Sequence, residues 1–196
     1  MAKNNRTPDR IQAVWNILGG EDGIDRLLAG ELKVVEVHPR EFPVWKTVKL
    51  GTCKTPGAYY MALKEAGVNI SPLCSGTLDR ITCSKGEIDL DLVALSVADL
   101  GLKEDARYTN ICAKAQEFGL ELCPAEVGPA LRLQYGDQPE GEELRIAMKD
   151  LIDCSGDLDI FVVEHDGNGL LLYSLGCPDL VSNVGCSLVF IKPCRK

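Results

Sequence analysis

The sequence has few of the residues and motifs by which enzymes are usually recognised. It contains only two histidines, His38 and His165, and none of the motifs of P-loops, dinucleotide sites, zinc proteases or serine hydrolases. It also lacks a C-x-x-C pair, which a zinc ribbon or a thioredoxin-like site would show. The sequence therefore indicates no familiar catalytic class, and we predict neither a cofactor nor a bound metal ion.

Long apolar runs are missing as well. The longest mainly apolar stretch, residues 92–98, is far shorter than the roughly 20 residues that a membrane-spanning helix needs. Residues 1–9 are polar and have no apolar centre, so they do not form a secretory signal. We therefore expect a cytoplasmic protein without a membrane partner.

Runs of lysine or arginine are also absent. The formal net charge is −8 and the isoelectric point is about 4.8. Two short N-terminal helices around Gly19 and Gly20 invite a helix-turn-helix interpretation, but the second carries Glu21, Asp22 and Asp25 against a single arginine. A helix that faces phosphates needs the opposite charge, so we predict no nucleic-acid partner.

Nine cysteines are present, an odd number at wide spacings. We interpret them as free thiols that pack as small apolar residues. Two alternatives stay open at this stage, a disulfide framework and a zinc site assembled from distant cysteines.

The densest local signals lie in residues 119–135, GLELCPAEVGPALRLQY. Gly119 suits the residue that ends a helix, and Pro124 suits the first turn of another helix. The apolar residues that follow fit a helical face, but Leu131, Leu133 and Tyr135 also alternate as in a strand. We favour a helix that is kinked or restarted at Pro129, and both interpretations bury Leu131.

This stretch, together with FPVWKTVKLGT at residues 42–52, resembles segments of an uncharacterised family of bacterial hypothetical proteins of the candidate-phylum type. The resemblance extends from about Ile11 to the end of the chain. It implies no activity, no cofactor and no catalytic residue.

The remaining patterns predict an α+β fold in which helices pack on a mostly antiparallel sheet. We expect one domain with three parts: a helical hairpin at residues 1–30, a mixed α/β part at 31–136 and an antiparallel β-meander at 137–196. Thr55-Pro56 and Ser71-Pro72 mark helix starts, and Thr109 is the expected cap of a later helix. Strands are predicted at residues 32–37, 44–50 and 88–95, followed by four C-terminal strands.

Five residues are candidates for a site. Trp45 is a possible ligand-binding aromatic residue, and His165 is a possible general base. Cys123 precedes a predicted helix start, which would lower its pKa and make it a nucleophile with His165 as its partner. Arg132 is expected on solvated surface, with Glu126 as its partner if it is buried.

The acidic segment at residues 153–159 has oxygen ligands at a spacing that suits calcium, but we interpret it as an acidic turn. The sequence as a whole favours a binding or interaction module without catalytic activity, with a protein or a small molecule as partner. A small hydrolase or transferase with an unrecognised site is the alternative.

Overall fold

The chain divides into two compact units, residues 1–39 and 40–196. The computed structural model describes residues 7–31, 41–149, 151–152, 158–176 and 181–193. In the first unit, helices α1 (Thr7–Leu18) and α2 (Glu21–Leu28) form the predicted helical hairpin. The predicted strand at residues 32–37 lies outside the described residues.

The second unit contains four helices and ten strands within its described residues. Its helices are α3 (Pro56–Glu65), α4 (Pro72–Leu78), α5 (Tyr108–Glu117) and α6 (Val127–Gln134). Its strands are β1 (Lys46–Leu50), β2 (Asn69–Ile70), β3 (Ile88–Ser96), β4 (Ala106–Arg107), β5 (Glu143–Ile146), β6 (Leu151–Ile152), β7 (Leu158–Asp166), β8 (Gly169–Gly176), β9 (Val181–Ser182) and β10 (Ser187–Ile191).

The main sheet has the strand order β1-β3-β10-β5-β7-β8-β2, and β6 also pairs with β7. Five of its seven pairings are antiparallel, and β10–β5 and β2–β8 are parallel. The predicted α+β class and mostly antiparallel sheet are confirmed. Strands β5, β7 and β8 form the predicted meander, whereas the last predicted strand, β10, leaves it and lies between β3 and β5.

The sheet curls around helix α6. This helix contacts β1 at one end of the strand order and also β7 and β8 near the other end. In a flat sheet β1 and β8 would lie about 24 Å apart, because neighbouring strands are separated by about 4.8 Å. An α-helix with its side chains is only about 10–12 Å wide. One helix can touch both strands only if the sheet wraps round it.

Helix α6 is accordingly buried, with every residue from 127 to 132 inaccessible to solvent. The helical interpretation of residues 124–135 is therefore confirmed, although the helix begins at Val127 rather than at Pro124 or Pro129. Pro129 lies in the first turn, where its missing N–H has no intrahelical acceptor to lose. Gly128 faces Phe161 of β7, and a Cβ atom at this position would lie 2.7 Å from the phenyl ring.

Most of the predicted helix ends are confirmed. The side chains of Thr55 and Ser71 cap α3 and α4 by accepting bonds from the backbone N–H groups of Ala58 and Cys74. Gly119 follows α5 with φ +79°, the left-handed conformation expected there. The predicted Thr109 cap is wrong, because α5 begins at Tyr108, two residues earlier than predicted, and Arg107 is its N-cap residue.

The free edge of β1 is partly closed by a side chain of α6. The amide of Gln134 accepts a hydrogen bond from the N–H of Lys49 at 3.0 Å and donates one to the carbonyl of Lys49 at 2.8 Å. These are the bonds that another strand would make, so the amide blocks strand addition at this point. No helix within the described residues is long and apolar enough to cross a membrane.

Gly128→Ala tests the packing of α6 against the sheet. The added methyl group would overlap the ring of Phe161, so the variant should lose about 1–3 kcal/mol of unfolding free energy in urea. Gly76→Ala is the matched control, because a Cβ atom at Gly76 of α4 meets open space. Equal stability of the two variants would show that α6 is not held closely against β7.

Candidate functional site

The five predicted site residues do not form one site. Glu126 lies at the start of α6 and Arg132 lies in its last turn. Trp45 and His165 are linked to Arg132 through intermediate residues, whereas Cys123 is buried beside β10. The two ends of α6 therefore have to be considered separately.

Glu126 is 1% exposed, and its carboxylate holds two loops against the start of α6 by hydrogen bonds. One oxygen, Oε1, accepts hydrogen bonds from the Gly51 N–H at 2.9 Å and the Tyr59 hydroxyl at 2.8 Å. The other, Oε2, accepts from the Ser84 N–H at 2.8 Å and the Ser84 hydroxyl at 2.6 Å. All four donors come from residues at least 42 positions away in the sequence.

Gly51 is required at this point for two reasons. Its φ of +72° is unfavourable for other residues, and a Cβ atom would lie 2.1 Å from the carbonyl oxygen of Gly86. The loop after β1 and the loop before β3 are therefore in backbone contact beside the carboxylate. Glu126 does not pair with Arg132, so the partnership expected from the sequence is wrong.

The hydrogen bonds to Glu126 also set its ionisation. Burial on its own raises the pKa of this carboxyl group, but the bonds from Ser84, Gly51 and Tyr59 outweigh burial and lower the pKa below its usual value. The carboxylate is therefore charged at neutral pH. Four hydrogen-bond donors of the chain stabilise its charge.

Arg132 is only 1% exposed, so its expected place on solvated surface is wrong. Its guanidinium donates to the carbonyl oxygens of Tyr135 and Glu164 and to the side-chain amide oxygen of Gln138. Its Nε atom has no partner within the described residues. Burial lowers the pKa of Arg132 to about 10, which still leaves the group charged at neutral pH.

The neighbours of Arg132 extend this cluster to the surface. The backbone carbonyl of Gln138 lies 2.6 Å from Nδ1 of His165, and the Tyr135 hydroxyl donates to Glu142 at 2.9 Å. Trp45 packs edge-to-face on Tyr135 with ring centroids 5.2 Å apart, and Nζ of Lys46 lies 4.5 Å from the Tyr135 centroid. The structure thus brings Trp45, Arg132 and His165 into one cluster, in which Arg132 lies on α6, His165 lies on β7 and Trp45 directly precedes β1.

Cys123 is not an activated nucleophile. Its thiol is 2% exposed and lies 3.4 Å from the carbonyl oxygen of Val189. Burial raises the pKa of this thiol strongly, which is opposite to the lowered pKa expected from its place before Pro124. The proposed pairing with His165 is therefore wrong, since the imidazole binds Gln138 and the thiol lies against β10.

Cysteines and metal ligands give no further site within the described residues. The six described cysteines, Cys53, Cys74, Cys83, Cys112, Cys123 and Cys186, are free thiols. The described part of the chain holds no group of three or more His, Cys, Asp or Glu residues that could bind a metal ion. Residues 153–157 of the acidic segment that the sequence predicts to be a turn lie outside the described residues.

A concave surface lies between α3 and α4, which the sequence did not point to. The cleft has a volume of about 400 Å³ and is lined by Gly57, Tyr60, Met61, Ser75 and Asp79. The first three residues are on α3, and the last two are at i and i+4 on α4 and its C-cap. A sequence signal exists in hindsight: Tyr60 and Met61 are off the buried stripe of α3, which carries Tyr59 and Leu63.

The cleft is attached to the Glu126 network through α3. Tyr59 points inward to the carboxylate, while the next two residues, Tyr60 and Met61, line the cleft on the outer side. Met61 is 58% exposed. The wall of the cleft is therefore a capped helix that is anchored to the interior, which is a rigid support for a binding surface.

No protein-family model matches the chain, and no curated protein or solved structure matches it either. The resemblance to a family of bacterial hypothetical proteins stays a prediction. The function has to be argued from the geometry of the chain itself.

Glu126→Gln tests the buried carboxylate. The amide cannot accept all four donors as an anion does, so the variant should lose about 3 kcal/mol of unfolding free energy at pH 7. Because the pKa of folded Glu126 is lowered, its contribution is present above the unfolded pKa of about 4.3 and disappears as the pH falls through the folded value. The wild type should therefore lose this advantage over the variant progressively as the pH falls below about 4.3.

Urea unfolding at a series of pH values from 7 to 2.5 would measure this difference, with Glu121→Gln as the control, because Glu121 is exposed. A stability gap that stays constant over the whole range would show that the negative charge of Glu126 is not what stabilises the two loops.

Arg132→Ala tests the other end of α6. Removal of the guanidinium abolishes three hydrogen bonds, two of them buried, so the loss should be about 3 kcal/mol, similar to the 2–5 kcal/mol expected for Leu131→Ala. Gln116→Ala on the exposed side of α5 should change stability by less than about 0.5 kcal/mol. If Arg132→Ala and Gln116→Ala have the same free energy of unfolding in urea, the guanidinium is solvated and does not form the buried hydrogen bonds described above.

Proposed function

We propose that this chain is a cytoplasmic binding module without catalytic activity, and that it takes a small molecule or a protein side chain in the cleft between α3 and α4. The observation that carries the proposal is the cleft itself. Its volume of about 400 Å³ falls in the range of about 300–1,000 Å³ that is typical of ligand sites. Its lining combines an aromatic ring, a thioether and three kinds of polar group, as ligand sites commonly do.

The state of the other titratable groups supports a binding function over a catalytic one. Glu126 and Arg132 are buried, and their side chains form hydrogen bonds with other residues of the same chain. Cys123, the sequence candidate for a nucleophile, is buried with a raised pKa. These groups stabilise the fold, and none of them lines the cleft.

The secondary structure around the cleft also supports binding. Both helices start with a capping side chain followed by proline, which fixes the first turn of each. On the inner side Tyr59 ties α3 to Glu126, and Thr77 of α4 donates to Asp159 at 2.8 Å. A ligand would meet a surface that is already ordered, so binding would cost little conformational entropy.

The negative net charge of the chain is consistent with a protein or small-molecule partner. A net charge of −8 opposes association with nucleic acid or with an anionic membrane. The same field favours neutral or positively charged ligands. We therefore propose a protein or small-molecule partner.

A fragment screen by ¹H–¹⁵N NMR tests the proposal. Binding fragments should shift the amide signals of the cleft residues Gly57, Tyr60, Met61, Ser75 and Asp79 as a group. Gly57→Leu should abolish these shifts, because a side chain at Gly57 meets no atom within 4 Å and would extend into the cleft. Gly76→Leu is the matched control, since it adds the same side chain to open space on α4 outside the cleft lining.

Fragments that shift other residues, such as those around Trp45, and that bind Gly57→Leu as well as the wild type would place the binding surface elsewhere. The absence of any binder from a library of mixed charge would count against a ligand site in the cleft altogether.

A further inference from the structure

The tyrosine in the cleft differs from the other tyrosines in its hydrogen bonding. The chain has five tyrosines, and four of their hydroxyl groups bond to protein acceptors. These acceptors are the side chains of Glu126, Glu142 and Glu143 and the backbone carbonyl of Met148. The fifth hydroxyl, that of Tyr60, has no hydrogen-bond partner within the described part of the chain, and it lines the cleft.

The polar groups of α4 show the same division. Thr77 faces inward and bonds to Asp159, whereas Ser75 and Asp79, at i and i+4, face the cleft. Neither of these two side chains has a hydrogen bond or an ion pair to any residue that the structure describes. The hydroxyl groups of Tyr60 and Ser75 and the carboxylate of Asp79 therefore lie at the cleft without hydrogen bonds to any residue that the structure describes.

The charge of these groups selects the ligand. Among the described residues of the lining, Asp79 is the only one with a formal charge, and a carboxylate can only accept hydrogen bonds. The hydroxyl oxygens of Tyr60 and Ser75 can accept as well. A ligand that presents several donors and a positive charge satisfies all three groups, whereas an anion would meet the carboxylate and the field of an acidic chain.

The apolar part of the lining selects the remainder of the ligand. Met61 contributes a flexible thioether that adapts to apolar groups of different shape. The ring of Tyr60 already attracts a cation on this helix, because Nζ of Lys64 lies 5.9 Å from its centroid. An apolar stem beside a cationic head would use both residues.

We infer that the cleft between α3 and α4 binds an organic cation, an ammonium or guanidinium group on an apolar stem, with Asp79 as the residue that recognises the charge. This inference rests on the proposed binding function and adds the chemical class of the ligand. The same chemistry is offered by a free arylalkylamine and by a lysine side chain in a peptide.

Titration of the ¹⁵N-labelled chain with three probes of one shape tests the inference. The probes are phenethylamine, its neutral analogue 2-phenylethanol and the anion 3-phenylpropionate. Phenethylamine should shift the amide signals of the cleft residues and bind at least about tenfold more tightly than either analogue. A capped lysine–phenylalanine dipeptide distinguishes the two sources, since a cleft adapted to peptides should bind it at least as tightly as phenethylamine.

Two variants separate a direct contact from the general field of the chain. Asp79→Asn keeps the shape of the side chain and should weaken phenethylamine binding by about tenfold. Glu65→Gln, an exposed residue at the end of α3 that does not line the cleft, removes the same charge and should leave binding within about twofold. Thermal unfolding of both variants should match that of the wild type, because neither side chain is buried.

The outcomes distinguish failure of the inference from failure of the proposed function. If 2-phenylethanol or 3-phenylpropionate shifts the cleft residues as strongly as phenethylamine does, the cleft binds ligands but not by charge, and only the inference fails. Equal effects of Asp79→Asn and Glu65→Gln overturn the role of Asp79. If phenethylamine and the dipeptide leave every cleft signal unchanged, the inference fails, and the fragment screen with Gly57→Leu decides whether the proposed function fails with it.

Discussion

The second unit depends on the burial of a helix that carries a charged residue at each end. Because the sheet curls round α6, neither Glu126 nor Arg132 can reach bulk water, and an isolated buried charge is very unfavourable. Each charge is therefore surrounded by hydrogen-bonding groups of the chain itself. The signs also suit the helix, since an anion at the N-terminus and a cation in the last turn both complement the helix dipole.

This arrangement explains how the loops round the helix acquire their positions. Gly51 and Ser84 lie on separate connections of the chain, and the carboxylate of Glu126 accepts hydrogen bonds from the N–H groups of both. At the other end, Arg132 holds the turn that leads from α6 into β5 through Tyr135 and Gln138. The two charged residues therefore hold loops of the same chain in place at the two ends of α6.

The sequence revealed the features of this fold that depend on local chemistry. Thr55, Ser71 and Gly119 predict helix ends correctly. A capping side chain or a left-handed glycine interacts only with backbone groups a few residues away, so its effect can be inferred from the local sequence. The strand β3 was equally clear, since its alternation is a property of consecutive residues. The place of β10 between β3 and β5 could not be predicted in the same way, because strand order depends on contacts between distant segments.

The environment of the candidate site residues also depends on contacts between distant segments, which the local sequence does not reveal. The burial of Arg132 could not be read from its neighbours, because it results from the curl of the whole sheet around α6. Cys123 looked activated by a nearby helix start, but β10 covers the thiol. The cleft was missed because Tyr60, Ser75 and Asp79 are ordinary surface residues in the sequence, and only the packing of α3 beside α4 brings them together.

The interior and the cleft differ in how completely their polar groups are used. Inside, the carboxylate of Glu126 accepts four hydrogen bonds from the chain, and the guanidinium of Arg132 donates three of its five N–H groups to acceptors of the chain. In the cleft, a carboxylate and two hydroxyl groups face solvent without protein partners among the described residues. Tyr59 and Tyr60 show this contrast on adjacent residues, because the first hydroxyl donates to Glu126 and the second has no hydrogen-bond partner among the residues that the structure describes. Since the inner contacts already order α3, the proposed ligand would meet the outer groups of the cleft without a rearrangement of the fold.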